Sequence, residues 1–160
     1  MPVSGKGSGR VSMAGLIAAK PNARSRLFYR IHTYHGRKSE RKGFTEADYQ
    51  QLLTAVHHQL GAPLVVVWDN LNHHVSANMR QFVDDHDWLS TLRLPAYAPE
   101  LNPTEGVWAN VKHDLGNLTA RGADQLAATV KTLLKRIQYR PDLIDGFIAT
   151  TGLSLEPQPP

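Results

Sequence analysis

The chain has 160 residues, 41% of them apolar, and a formal net charge of +4, which suits one globular domain that buries about two-thirds of its unfolded surface. It contains no cysteine, so a disulfide framework and a thiolate metal site are excluded, and any divalent ion would be held by oxygen or imidazole. Because no apolar run approaches the roughly 18 residues of a membrane-spanning helix and the first ten residues lack a signal-peptide core, we expect a cytoplasmic protein without a membrane partner.

Two strands are predicted near the start of the chain. Residues 10–18 and 26–35 both have strand composition, and the second alternates apolar with polar side chains. Pro21 and Asn22 between them are typical turn residues, so we expect an antiparallel hairpin. The first nine residues, MPVSGKGSG, are too glycine-rich to supply the further strand that such a sheet needs.

An amphipathic helix follows the hairpin. Thr45 is the predicted N-cap, acids occupy the first turn, and Gly61 ends the helix. One helical face carries its apolar side chains, Tyr49, Leu52, Leu53, Val56 and Leu60.

Residues 64–68 are apolar without alternation, which predicts a strand covered on both faces at the centre of a sheet. The later elements are predicted as a helix over residues 75–83, a strand over 88–94, and helices from Asn102, over 126–137 and over 140–152. This order indicates one layered α/β domain over residues 1–152. We expect residues 153–160 to form a disordered tail.

Asp69 directly follows the strand over residues 64–68. Open α/β sheets bind ligands at the carboxyl ends of their strands, which makes Asp69 a candidate ligand. The sequence DNLN is also good turn chemistry, so a turn-forming role for Asp69 remains open.

Glu105 lies in the stretch YAPELNPTEGVW, which leads into a predicted helix. Asn102 suits the N-cap, Pro103 the first helical position, and Glu105 the third, as in a capping box. Capping accounts for these residues, but it does not require the LPAYAP that precedes them, or the Trp108 and Lys112 that follow.

The segments WDNLNHH and LPAYAPELNPTEGVWANVK resemble bacterial insertion-sequence transposases of the insertion-sequence-630, mariner-related family of DDE enzymes. The separation of Asp69 from Glu105 is similar to that of the family's second and third acids. The positions that match its motifs are Asp69, Asn70 and His74, then Leu94, Pro95, Tyr97, Pro99, Leu101, Asn102, Pro103, Glu105 and Trp108.

The resemblance implies a ribonuclease H-like mixed sheet flanked by helices and Mg²⁺-dependent (or Mn²⁺-dependent) DNA cleavage and strand transfer. Asp69 and Glu105 would be catalytic metal ligands, with Asn70, His74 and Asn102 as supporting residues. The partners implied are transposon ends, target DNA and a second copy of the chain, in a bacterial cytoplasm at the nucleoid. Two metal ions held by carboxylates would activate the attacking oxygen and stabilise the leaving one.

The family's first acid has no counterpart in this sequence. The only acids ahead of Asp69 are Glu40, Glu46 and Asp48, which lie in a basic loop and at a helix start. We therefore expect a domain that lacks its first strand, is N-terminally truncated and is inactive alone. Three interpretations stay open: half of a split transposase completed by a companion chain that carries the first strand and a helix-turn-helix, a decayed fragment, or a non-catalytic DNA-binding or regulatory module.

Positive charge is concentrated near the start of the chain. Residues 1–42 carry ten Lys or Arg against one acid, whereas the remainder carries eight against thirteen. Such clustering is typical of nucleic-acid binding, with a solvated surface as the alternative. The candidates for DNA contacts are Lys112 and the four cations of one glycine-flanked loop, Arg37, Lys38, Arg41 and Lys42.

Overall fold

The structure is a computed structural model that describes residues 1–4, 9–118 and 121–155. Its strands and helices in chain order are β1 (Pro2–Ser4), β2 (Arg10–Ala18), β3 (Arg26–Tyr34), α1 (Glu46–Leu60), β4 (Leu64–Trp68), α2 (Asn72–Val75), α3 (Ala77–Asp84), β5 (Leu89–Arg93), α4 (Thr104–Leu115), α5 (Ala123–Gln138) and α6 (Pro141–Thr150). A 3₁₀ turn, Pro99–Leu101, precedes α4. No helix in these ranges is long and apolar enough to cross a bilayer.

The chain divides into two compact units. The first combines Met1–Gly43 with the segment that begins at Pro103, and the second is Phe44–Asn102. The single-domain boundary at residue 152 stays a prediction. Of the expected disordered tail, residues 156–160 lie outside the described residues.

The first unit contains an antiparallel sheet with the strand order β1-β2-β3. The predicted hairpin is confirmed, since β2 pairs with β3 from Arg10 opposite Tyr34 to Ala18 opposite Arg26. Asn22 makes the connecting turn with φ at 61°, a left-handed conformation that Asn tolerates better than most residues.

Strand β1 corrects the expectation that residues 1–9 are too glycine-rich to form a strand. Pro2 lies opposite Ser12 and Val3 opposite Val11. Proline is tolerated at the first position of a strand and valine favours strands, and the glycines of this segment follow the paired residues in the sequence. Strand β1 contains no acid, so it is not the acid-bearing strand that the resemblance requires.

The core of the first unit lies between its sheet and its helices, and it includes five apolar side chains of the helix predicted over residues 126–137, which is α5. Helix α5 packs on β3 and β2, and α4 and α6 pack against α5. The buried core residues are Val11, Met13, Leu27, Val107, Trp108, Val111, Leu126, Val130, Leu133, Leu134, Ile137 and Ile144.

In the second unit, the predicted ends of α1 are confirmed. Thr45 is the N-cap and forms a capping box with Asp48, and the N–H of Asp48 approaches the carbonyl of Thr45 at 3.1 Å. Gly61 closes the helix with φ at 60°, the left-handed conformation that glycine favours at this position.

Strands β4 and β5 form a parallel pair, and β4 does not have the covering on both faces that its composition predicts. Val65 is 69% exposed and Val67 is 50% exposed, and Leu92, which lies opposite Val67, is 59% exposed. Burial alternates along β4, so one face of this pair is covered and the other is open. The run of valines reflects strand preference, which a half-buried strand also satisfies.

Candidate active site

Asp69 follows β4, and one oxygen of its carboxylate is held by two hydrogen bonds. Oδ1 accepts from the backbone N–H of Leu71 at 3.1 Å and from Nδ1 of His74 at 2.9 Å. The first contact is the predicted turn interaction. The side chain is 52% exposed, and no described residue donates a hydrogen bond to Oδ2. The turn therefore orients Asp69 and leaves one oxygen open.

The His74 side chain packs between the turn that begins at Asp69 and the aromatic rings of Trp68 and Tyr49. Its ring stacks on Trp68 at 4.6 Å between centroids and 7° between planes, and Tyr49 meets it edge-on at 5.1 Å. A carboxylate only accepts hydrogen bonds, so Nδ1 of His74 must carry the proton that it shares with Asp69. Burial lowers the pKa of His74 and outweighs the opposing effect of Asp69, which keeps the ring neutral near neutral pH.

Asn70 ties the ends of the two strands of this unit together. Its Nδ2 donates to the carbonyl of Leu94 at 3.2 Å, and the N–H of Leu94 donates to the carbonyl of Trp68 at 2.8 Å. The structure thus brings Asn70 and His74 to the turn at Asp69. Their supporting roles at a metal stay predictions.

Glu105 lies in the first turn of α4 with its side chain exposed. The predicted capping box is wrong, because the N–H of Asn102 donates to the carbonyl of Pro99 at 3.0 Å and Glu105 has no hydrogen bond among the described residues. The 3₁₀ turn before the helix takes the donor that the box would use. Helix α4 begins at Thr104, and the backbone of Pro103 is already helical whereas that of Asn102 is extended.

The helix that carries Glu105 is anchored by burial. Val107 and Val111 are fully buried and Trp108 is 7% exposed. Gly15 allows a close approach here, because a Cβ at this position would lie 3.0 Å from the Trp108 ring. Trp68, at the end of β4, is also buried, at 8% exposed. Lys112 lies on the same helix and is exposed.

The four cations Arg37, Lys38, Arg41 and Lys42 lie together in the segment between β3 and α1, and their side chains are exposed. We call this segment, residues 36–43, the basic loop. Two side chains from the sheet hold its backbone: Arg10 donates to the carbonyl of Lys42 at 2.6 Å, and Nε2 of His32 donates to that of Arg41 at 2.7 Å. The loop is therefore an ordered surface element.

The three acids ahead of Asp69 all have structural hydrogen bonds. Their partners are His35 for Glu40, Asn78 for Glu46, and Thr45 for Asp48. None of them ends a strand, and the lack of a counterpart to the family's first acid stays a prediction. Within the described ranges, no group of three or more His, Asp or Glu side chains is arranged to hold a metal ion.

Tyr49 is the neighbour of this site that the sequence did not indicate. The helical stripe identifies it only as an apolar position, yet its ring contacts both His73 and His74. Burial, followed by the charge of Asp69, raises the pKa of Tyr49. Its spacing from His74 carries no local signal, because the contact joins two different helices.

The sequence model of the DDE superfamily endonucleases matches residues 9–127 of the chain. The chain belongs to this family. The match spans β2 through the first part of α5, and it includes Asp69, Glu105 and the basic loop. Comparison with curated proteins gives no match.

Solved structures with a similar fold include several of a mariner transposase. The crystal structure of the Mos1 catalytic domain is 16% identical, with 91% of this chain and 83% of that chain covered and a TM-score of 0.51. The same domain with raltegravir and Mn is 16% identical over 91% and 84% of the two chains, with a TM-score of 0.51. A Mos1 paired-end complex with the left transposon end is 16% identical over 92% and 55%, with a TM-score of 0.51. At this identity the likeness shows the fold, which is the ribonuclease H-like α/β fold.

Proposed function

We propose that the chain is the catalytic domain of a bacterial insertion-sequence transposase, similar to the insertion-sequence-630 family, that cuts DNA and transfers strands. The observation that carries the proposal is the carboxylate of Asp69, oriented by its own turn and by His74 with one oxygen left open. Family membership supplies the reaction class. The basic loop supplies a surface suited to a phosphate backbone.

Asp69 and Glu105 are the proposed ligands of Mg²⁺ or Mn²⁺. They fit these ions in donor type, because both cations take carboxylate oxygens, and Oδ2 of Asp69 and the carboxylate of Glu105 are both available. Structures of the Mos1 catalytic domain contain Mn or Mg. A bound ion would lower the charge on the phosphodiester and favour a deprotonated attacking oxygen.

The remaining residues position these ligands. His74 donates to Asp69 and holds its carboxylate against the turn, and Asn70 fixes the strand end from which the turn starts. Trp108 sets the orientation of the helix that carries Glu105. Removal of His74 would leave both carboxylates in place but would free Asp69 to rotate.

We propose that this chain does not cut DNA alone, because it supplies two of the three carboxylates that the family uses. A companion chain would contribute the third acid on a strand, together with a helix-turn-helix that recognises DNA. A paired-end complex is known for Mos1, and we propose that two copies of this chain act together on two transposon ends. These reactions would take place at the nucleoid, in the cytoplasm.

A plasmid-nicking assay tests the catalytic proposal. With Mg²⁺ or Mn²⁺, we expect no nicking by the chain alone and nicking once a peptide with a strand that ends in Asp is added. Asp69→Asn and Glu105→Gln should each abolish that activity, whereas Glu100→Gln, at an exposed acid close by, should not. Nicking that survives both active-site changes would contradict the assignment.

The second candidate is a non-catalytic DNA-binding or regulatory module, and the ordered basic loop favours it. DNA binding measured by fluorescence anisotropy should then weaken steeply with salt and survive Asp69→Asn. Replacement of the four loop cations by Ala should weaken binding and reduce its salt slope. An absence of DNA binding at low salt would remove this alternative.

A further inference from the structure

His35 joins the basic loop to helix α5 through two carboxylates. Nδ1 of His35 lies 2.7 Å from Oε1 of Glu40, and Nε2 lies 2.7 Å from Oδ1 of Asp124. The backbone N–H of His35 also donates to Oε2 of Glu40 at 2.8 Å. Glu40 is part of the basic loop, whereas Asp124 is the second residue of α5, so the ring connects two segments that are distant in the sequence.

The geometry specifies the protonation state of this ring. A neutral imidazole has one N–H donor, and an ionised carboxylate only accepts hydrogen bonds. Both short contacts of His35 can be hydrogen bonds only when both ring nitrogens carry a proton. The arrangement therefore requires the imidazolium form, with its positive charge shared between Glu40 and Asp124.

The surroundings keep these groups together. A Cβ on Gly9 would lie 2.6 Å from that of Ala123, so the glycine lets the start of α5 approach strand β2 closely. This close approach places Asp124, the next residue of α5, within hydrogen-bond distance of His35. From β2, the guanidinium of Arg10 lies over the Tyr34 ring at 5.6 Å. The basic loop adds the four cations Arg37, Lys38, Arg41 and Lys42. The remaining charged or histidine side chains of the elements that meet here are Arg26, Arg30 and His32 on β3, Lys131, Lys135 and Arg136 on α5, and Arg121 just before α5.

We propose that His35, Glu40 and Asp124 form a proton-dependent clasp that positions the basic loop for contact with nucleic-acid phosphates. This inference rests on the proposed binding of DNA by the loop. The three residues act as positioning residues, since the phosphate contacts come from the loop cations. Closure of the clasp fixes the loop against α5 and adds one positive charge beside it, and both effects favour a polyanion.

The directions of the pKa shifts agree with the clasp. The hydrogen bond to Asp124 and then that to Glu40 raise the pKa of His35, although desolvation opposes them, and the bond to His35 lowers the pKa of Glu40. Stabilisation by the clasp is complete below the ordinary pKa of His, about 6.5, and is lost as pH rises through the raised pKa of His35. On the acid side it is lost as pH falls through the lowered pKa of Glu40.

Deprotonation should open the clasp at Asp124. Glu40 also accepts from the backbone N–H of His35, so the neutral ring keeps its proton on Nδ1 and its contact with Glu40. Nε2 then becomes an acceptor that faces the carboxylate of Asp124, and the two repel each other. The loop loses its connection to α5 while it keeps its own internal turn.

Two readouts on the full chain test the clasp. The first is the affinity for a short fluorescein-labelled DNA duplex at fixed ionic strength, which should weaken about five- to tenfold from about pH 6 to about pH 8.5. The second is the NMR titration of the His35 ring together with the backbone amides of Gly36 and Gly43. The ring and both amides should titrate with one shared midpoint above about 6.5.

The Asp124→Ala variant distinguishes a positioning effect of the clasp on DNA binding from a purely electrostatic effect of the carboxylate. Removal of a carboxylate beside a phosphate-binding loop should strengthen DNA binding if only electrostatics acts. The clasp predicts the opposite result, several-fold weaker binding near pH 6, with the His35 midpoint lowered and the loop amides no longer coupled to it. Asp124→Asn keeps an acceptor oxygen and should retain the low-pH affinity with a lower midpoint.

The controls distinguish the possible failures. Asp145→Ala, at an exposed acid of α6, and His58→Ala, at an exposed histidine of α1, should leave the pH profile unchanged. Stronger binding by Asp124→Ala, or loop amides that do not follow His35, would overturn the clasp while the DNA-binding proposal survives. A wild-type chain that does not bind DNA at any pH would instead overturn the proposed DNA binding, and with it the proposal that the clasp positions the loop for phosphate contacts.

Discussion

The two candidate acids are held in place by different means. At the end of β4, Asp69 accepts two hydrogen bonds within its own turn, so its orientation depends on local polar contacts. At the start of α4, Glu105 has no hydrogen bond among the described residues, and its position depends on the burial of Trp108 one turn later. Polar contacts fix a carboxylate oxygen, whereas apolar packing fixes only the backbone from which a flexible side chain extends.

This contrast predicts that substitutions in the core around Trp108 displace Glu105, whereas substitutions in the turn that follows β4 displace Asp69. An ion ligand on a mobile side chain can be drawn into position by the cation, whereas a ligand held by hydrogen bonds is preorganised. The changes below disturb one region at a time.

Trp108→Ala should have the largest effect on stability. Removal of a nearly buried indole from the core leaves a cavity and should lower the free energy of unfolding by about 3–5 kcal/mol. Urea denaturation followed by circular dichroism measures the change. Tyr139→Ala, at a residue that is 72% exposed, is the matched control and should change it by less than about 0.5 kcal/mol. A loss below about 1 kcal/mol for Trp108→Ala would show that α4 is not anchored there.

Gly106→Ala should displace the first turn of α4. A Cβ at this position would lie 2.6 Å from the ring and 3.2 Å from the Cβ of Phe147 on α6, so the helices must separate, at a cost of about 1–3 kcal/mol. Gly146→Ala on α6 is the control, because no atom lies within 4 Å of the added Cβ and alanine should stabilise that helix by up to about 1 kcal/mol. Thermal unfolding should therefore move in opposite directions for the two variants.

His74→Ala disturbs the other region. It removes the hydrogen bond to Asp69 and the stacking contact with Trp68, and it should lower the free energy of unfolding by about 1–2 kcal/mol. In the nicking assay completed by the strand peptide, activity should fall further than stability alone explains, because Asp69 can then rotate. His58→Ala should leave both quantities unchanged, and equal effects of the two substitutions would contradict the positioning role.

The smallest expected effect is the difference in stability between alanine variants of the two acids. Asp69→Ala loses two hydrogen bonds and should cost about 1 kcal/mol of stability. Glu105→Ala loses none and should stay within about 0.5 kcal/mol. Equal costs in urea denaturation would remove the distinction between the regions.

Local sequence signals predicted most of the fold. Thr45 and Gly61 mark the ends of α1, Pro21 and Asn22 mark the hairpin turn, and the apolar stripe of α5 became the centre of the first core. Each signal acts within one element, where spacing and backbone preference suffice. For the same reason, the sequence placed Asp69 correctly at the end of a strand and in a turn.

The failures concern what surrounds an element. A run of valines does not distinguish a strand covered on both faces from one covered on a single face, so Val65 and Val67 were expected to be buried. The capping box at Glu105 failed because the residues before the helix form their own turn, which takes the N–H of Asn102. The contact of His35 with Asp124 left no signal at all, because it joins positions 89 residues apart.

The discontinuity of the first unit has a consequence for folding. Its hairpin comes from residues 1–43 and the helices that cover it come from residue 103 onward. The apolar face of the hairpin therefore stays exposed to solvent while residues 44–102 are synthesised. Bringing these ends together costs roughly 3–4 kcal/mol of chain entropy, whereas the continuous second unit can collapse early. We expect slow folding and a need for chaperone protection during translation, set by the order in which the ribosome delivers the two ends.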